Sequence, residues 1–240
     1  MRTRASFLIL ALVLGACAKR TEAPPLQAKA FGTAIVMVSG EKQAAGVGAA
    51  LDQPVVVQVN DAKGTPVAGA LVQFSGAQGM AFQPDRGLTG ADGQFTTTAA
   101  LGGMAGRYRI VARTMTGAGK PVEVAVEEIA LSYQATLGLK VNQIHCVRCH
   151  DSESTPERVS NHDNLDPMPH GFTEGAVLNA MSDVSLISII AHGGAGLSKS
   201  PAMPPYGNTL TPTEIDAVVA YLRAVSDPPY RQQGVFYAAN

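Results

Sequence analysis

Two hydrophobic rhythms divide the chain. Between residues 31 and 130, apolar positions come in short runs, at 35–38, 55–59, 71–74, 95–99, 108–113 and 122–126. In the last run Val122, Val124 and Val126 face one way and Glu123 and Glu127 the other, the period-two pattern of a half-buried strand. Asp61-Ala62-Lys63-Gly64-Thr65-Pro66 and Ala91-Asp92-Gly93 supply turn chemistry between the runs. Six or seven such strands in about 100 residues predict an all-β sandwich.

Beyond residue 130 the spacing becomes helical. Ile215, Val218, Val219 and Leu222 recur at helical intervals, with Tyr221 beside them. Thr211-Pro212-Thr213-Glu214 offers an N-cap Thr, a Pro at N1 and a Glu at N3, and the helix should end before Asp227-Pro228-Pro229. Ser182 or Asp183 opens a second helix, carrying Leu186, Ile187, Ile189 and Ile190 and ending at Gly193-Gly194. The fold class expected is therefore multidomain, a β-sandwich followed by an all-α unit. The break near Ala130 suggests two independent units.

The first residues read as an address. Arg2 and Arg4 precede an apolar stretch at 7–15, too short for the ~20 residues of a spanning helix. It ends in Leu14-Gly15-Ala16-Cys17, small residues before a cleavage point. That ending resembles the lipobox of bacterial lipoproteins, which implies acylation of Cys17 as the first mature residue and a lipid anchor in the membrane. An ordinary signal peptide with an incidental cysteine is the alternative. Ala18 after the lipid site implies, by the same resemblance, the outer membrane, facing the periplasm or the cell surface. Residues 1–16 are then signal peptide and 17–30, polar and aperiodic, a flexible tether. The units follow at 31–130 and 131–228, with a tail at 229–240.

Composition sharpens this picture. The 240 residues are 15% charged with a net charge of −1, which gives no basic footprint for nucleic acid. Three cysteines, at 17, 146 and 149, exclude a disulfide-rich scaffold. From Leu131 onward six Lys/Arg face ten Asp/Glu, so the second unit is the acidic end, and redox partners with a basic docking face suit it.

Cys146-Val147-Arg148-Cys149-His150 is the c-type haem attachment pattern. Two thiols at this separation can bond to the haem vinyls, and the next residue offers its imidazole to the iron. A zinc site would need two further ligands, for which His145 or His162 could serve, but no second paired motif exists. A thioredoxin-like pair would need a βαβ setting, absent here. The expected cofactor is one covalently bound haem c, attached outside the cytoplasm.

Two family resemblances add to this. Gly64-Thr65-Pro66-Val67-Ala68-Gly69-Ala70, Thr89-Gly90-Ala91-Asp92-Gly93 and Ala105-Gly106-Arg107-Tyr108 resemble bacterial immunoglobulin-like domains of the invasin/intimin kind. Such domains are spacers or adhesive modules. Residues 134–227 resemble class I monohaem cytochromes c, with Gly138 where that family's first helix crosses the last. The family's aromatic residue four positions before the first cysteine is missing, and Asn142 stands there.

The cytochrome resemblance implies a distal methionine ligand. Met203, in Pro201-Ala202-Met203-Pro204-Pro205-Tyr206-Gly207 before the last helix, occupies that context, and Met168 in Asp166-Pro167-Met168-Pro169-His170 is its rival. Met181 reads as core. His162, His170 and His192 are weaker ligand candidates, explained as well by loop solvation or, for His192, by the dipole at a helix end. Pro167 or Pro169 could offer a carbonyl to His150. The function this implies is a single-electron carrier, not an enzyme. A haem enzyme or gas-binding protein with an open iron position is the alternative, and a surface protein with incidental haem a third.

Overall fold

The computed structural model describes residues 26–151 and 160–232. The signal peptide, Cys17 and the end of the tail lie outside the described residues. The N-terminal unit is a sandwich of two sheets. One contains β1 (Ala34–Ser39), β3 (Val55–Asn60), β7 (Gln94–Ala100) and β5 (Ala81–Gln83), in that order. The other runs β2 (Ala44–Gly46), β9 (Pro121–Leu131), β8 (Gly106–Met115), β4 (Leu71–Gly76) and β6 (Arg86–Leu88). All pairings are antiparallel except β2 with β9.

Each expected run lies within a strand. Strands β2, β5 and β6 were not expected, because three residues such as Ala44-Ala45-Gly46 are too short to show a period. They form because longer neighbours offer them a ladder: Ala44 pairs with Ile129 and Gly46 with Leu131. The polar tether also stops earlier than expected, since the Lys29 amide donates to the Gly69 carbonyl at 2.8 Å and Ala30 bridges Ala70.

The sandwich core is built by alternation. Val55, Val57 and Val59 are fully buried, and Phe74 stacks between Phe82 and Phe95. On β9 the row of Val122, Val124 and Val126 packs on this core while Glu123 and Glu127 face out. The same row places Glu128 inward, opposite Tyr108 and fully buried. One oxygen of its carboxylate accepts the Gln43 amide, and the other, Oε1, has no partner. Burial pushes this carboxyl up to about 7.

The helical unit starts with no linker. Strand β9 ends at Leu131, Ser132 caps α1 (Tyr133–His145) through its Oγ to the Ala135 amide at 3.1 Å, and the helix follows at once. The seam buries Leu131, Ala135 and Val225, with Ala44, Ile129, Leu139 and Tyr221 packed on them. Arg107 spans it, pairing with Glu127 and donating to the Ser226 carbonyl at 2.7 Å. The two units are therefore joined by shared apolar burial, which the composition break did not reveal.

Helix α1 crosses α5 (Pro212–Val225) at Gly138, where a Cβ would stand 1.9 Å from the Ala217 carbonyl oxygen. Only a residue without a side chain allows this approach. Helix α5 opens with the expected capping box: the Thr211 hydroxyl accepts the Glu214 amide at 3.3 Å, and Glu214 accepts the Thr211 amide at 2.8 Å. Its Ile215, Val218, Val219 and Leu222 are all buried, each contributing about 1.5–3 kcal/mol of transfer free energy. Helix α4 (Asp183–His192) is capped by Ser182 and stops at Gly193, whose φ of 71° suits glycine. Short turns of helix, α2 (Val147–His150) and α3 (Gly175–Leu178), complete the unit.

Candidate functional site

Helix α1 hands over to α2 at Cys146. The Cys146 amide still donates to Asn142 at 2.9 Å, while the Cys149 and His150 amides both donate to the Cys146 carbonyl at 3.0 Å. Residues 146–150 are thus one continuous turn, which brings both thiols and the imidazole to one wall of a cavity of about 390 Å³. Leu186, Ile190, Met203 and Tyr206 line the same cavity. The two cysteines do not pair with each other, and burial pushes the Cys146 thiol up to about 11.

Burial also lowers the pKa of His150, the larger effect, while a hydrogen bond raises it. That bond runs from Nδ1 to the His170 carbonyl at 2.7 Å. A carbonyl can only accept, so the proton sits on Nδ1 and Nε2 keeps its lone pair. The acceptor is thus the carbonyl of His170, not that of Pro167 or Pro169. The reason is local: Glu174 receives the His170 ring at 2.9 Å and the Gly171 amide at 2.7 Å, which clamps this turn. The same contacts hold the Glu174 carboxyl below its usual range, the Gly171 amide first among them.

The loop carrying Met203 is fastened to the end of α4. Gly194 donates to the Met203 carbonyl at 3.0 Å, Tyr206 to Ile190 at 3.0 Å and Gly207 to Ala191 at 2.9 Å. Gly193 backs directly on this loop, where a Cβ would meet Pro205 and the Met203 carbonyl within 2.8 Å. Met203 is half-buried against the helical core. Met168 reaches the same cavity from its rim and is 57% exposed, and Met181 lines it from the core side.

The other histidines divide. His170 lines the cavity. His162 does not, and it is buried beside Asp163 at 2.7 Å where loop solvation was expected. His192 ends α4 with its ring donating to the Ser188 carbonyl at 3.0 Å. The zinc alternative finds no support: among the described residues no three His, Cys, Asp or Glu side chains gather to hold a metal ion. Two thiols and an imidazole on one turn, in a largely apolar cavity that a thioether also lines, do suit a flat apolar macrocycle carrying iron.

Residues 134–222 match the family of cytochrome c oxidase, cbb3-type, subunit III. The helical unit is a cytochrome c domain. Its family binds haem c covalently, which agrees with the cofactor expected from the Cys-x-x-Cys-His motif. No curated protein sequence matches the chain. Solved structures similar to it include the D00-D0 domain of intimin, with 17% identity, a TM-score of 0.32, and 45% of this chain and 51% of that one covered. The D0-D1 domain of intimin gives 22%, 0.31, 42% and 48%, and invasin, a bacterial integrin-binding protein, gives 20%, 0.32, 44% and 21%. The chain spans about half the length of the intimin structures it matches.

Phe172 and Tyr206 are site residues that sequence reasoning left unassigned. The Phe172 ring packs on His150 with centroids 5.0 Å apart. The Tyr206 hydroxyl ties the Met203 loop back to α1. Tyr206 lies within the quoted loop motif, but nothing in its spacing points at the end of a helix 61 residues away.

Proposed function

We propose that the chain is a lipid-anchored, extracytoplasmic electron carrier. Cys146 and Cys149 attach one haem c, His150 is its proximal ligand and Met203 its distal ligand. The observation that supports this reading is one largely apolar cavity whose lining includes all four residues. When bound, the haem supplies a one-electron Fe(III)/Fe(II) couple. The protein's part would be to hold the group through Cys146 and Cys149 and to offer its iron donors from His150 and Met203. The His150 Nδ1–H bond to the His170 carbonyl keeps Nε2 available as a donor. The three backbone bonds from the end of α4 hold Met203 on its loop. The lining is largely apolar, with His170, Lys199, Ser200 and Tyr206 as polar members.

Anchoring is carried by Cys17, whose acylation would tether the body outside the cytoplasm, at the outer membrane. Among the described residues no helix is long and apolar enough to cross a membrane. The acidic balance from Leu131 onward favours redox partners with a basic docking face.

The test is the optical spectrum of the purified ferrous protein, with and without carbon monoxide. A carrier with both positions filled keeps its spectrum on exposure to the gas. Rapid carbon monoxide binding would transfer the reading to a haem enzyme or gas-binding protein.

A further inference from the structure

His150 is held at Nδ1 by a hydrogen bond and faced on its side by a ring. The bond to the His170 carbonyl, 2.7 Å long, fixes one point of the imidazole. With the covalent attachment at Cβ, this bond defines the ring plane to within the angular looseness of a hydrogen bond, and a packed second contact narrows that range. Phe172, two residues after His170, makes that contact: its ring lies 5.0 Å from the imidazole, tilted by 41°. Residues 170–172 therefore both receive the Nδ1 proton and wall the ring.

Phe172 is itself braced. Its ring lies 6.3 Å from that of Tyr221 at 59°, on helix α5. Phe172 packs on both the core of the helical unit and the seam cluster of Leu131, Ala135 and Val225. Burial pushes the Tyr221 phenol up to about 12, so it remains neutral beside the imidazole's packing partner. A contiguous apolar path thus runs from Leu131 of the sandwich through Tyr221 and Phe172 to His150.

We propose that Phe172 is a positioning residue that sets the plane of the His150 imidazole, with Tyr221 and the last strand of the sandwich as its backing. This rests on His150 being the proximal ligand. It also gives the sandwich a role at the site beyond that of a spacer, since strand β9 supplies part of the bracing.

The experiment uses the full-length haem-loaded protein and its variants Phe172→Leu, Phe172→Tyr and Tyr221→Leu. The readouts are covalent haem content, the midpoint potential, and the electron paramagnetic resonance g-values of the ferric protein, which report the orientation of axial ligand planes. Phe172→Leu keeps the apolar volume and loses the ring: full haem content with shifted g-values and potential is expected. Phe172→Tyr keeps the ring and should return both to the wild-type values. Tyr221→Leu should shift them in the same direction as Phe172→Leu, by less. A Phe172→Leu protein with wild-type g-values overturns the proposal, as do equal shifts in Phe172→Leu and Phe172→Tyr. Should Phe172→Leu fail to accumulate, wild-type g-values in Tyr221→Leu overturn it instead. A wild-type chain lacking covalent haem removes the underlying site reading and this proposal together.

Discussion

The Tyr206 hydroxyl donates to the main-chain carbonyl of His145 at 2.9 Å, and so ties the loop of Met203 to the last residue of α1. The next residue is Cys146. One hydrogen bond therefore links the two walls of the cavity. Helix α1 carries the attachment turn at its end, and the loop carries the thioether.

Tyr206→Phe removes that bond and little else. Net loss of stability should be about 0.5–1.5 kcal/mol, the ordinary range for one hydrogen bond. The larger effect should fall on the distal side. A loop freed at Tyr206 leaves the iron more often, so stopped-flow carbon monoxide binding to the ferrous protein should accelerate. A rate equal to wild type would show that the bonds from Gly194 and Gly207 hold the loop alone.

Met203→Ala and Met168→Ala separate the two thioethers. Met203→Ala should abolish the weak red charge-transfer band of methionine-ligated ferric haem, lower the midpoint potential because a soft ligand for Fe(II) is gone, and open the iron to carbon monoxide. Met168→Ala should leave all three unchanged, since Met168 stands exposed at the rim. Spectra of the two oxidised variants decide it. Loss of the band in Met168→Ala alone would reverse the assignment, retention in both would point to Met181, and a wild type without the band would point to His170.

Much of this site is legible in the sequence because its parts are local. Cys146, Cys149 and His150 share one helical turn, so spacing alone brings them to one wall. Thr211 to Glu214 is a capping box within four residues, while the crossing at Gly138 was implied only by the resemblance to class I cytochromes c. The missing pieces are contacts across long sequence separations. Phe172 reaches His150 from a loop, and no periodic pattern marks it. The three-residue strands depend on neighbours rather than on their own alternation. The seam around Leu131 was hidden for a different reason: Ile129 and Leu131 look like the ordinary end of a strand, and only the fold shows α5 packed with them.

Glu128 shows where alternation and chemistry conflict. Its place on the inward row of β9 buries a carboxyl among apolar side chains, which raises its pKa from 4.5 to about 7. A raised carboxyl favours folding only while protonated. Its contribution is therefore complete below about pH 4.5, declines between 4.5 and 7, and is lost above 7. Glu128→Gln keeps an acceptor for the Gln43 amide and cannot ionise. The stability of Glu128→Gln relative to wild type should rise by about 1.4 kcal/mol per pH unit across that window and then level off. Denaturant titrations of both proteins at a series of pH values measure this difference. A difference independent of pH would mean that Glu128 is not ionised by folding-linked titration in that range.

The seam makes a prediction about the units themselves. A fragment beginning at Ser132 retains the cap of α1, the attachment turn, the Met203 loop and all of α5, so it should mature with haem when exported. It lacks Ile129 and Leu131, which leaves Ala135, Leu139 and Val225 facing water, and it loses the Arg107 bond to the Ser226 carbonyl. Uncovering apolar surface equivalent to one or two large side chains should cost about 2–4 kcal/mol. Guanidinium unfolding followed by haem absorbance should thus show a lower midpoint for the fragment than for the full chain. Leu131→Ala in the full chain should move part of the way, because it empties the centre of the seam while leaving Arg107 in place. Equal midpoints for fragment, variant and wild type would make the sandwich a passive spacer. A graded series would make it a structural support of the haem domain.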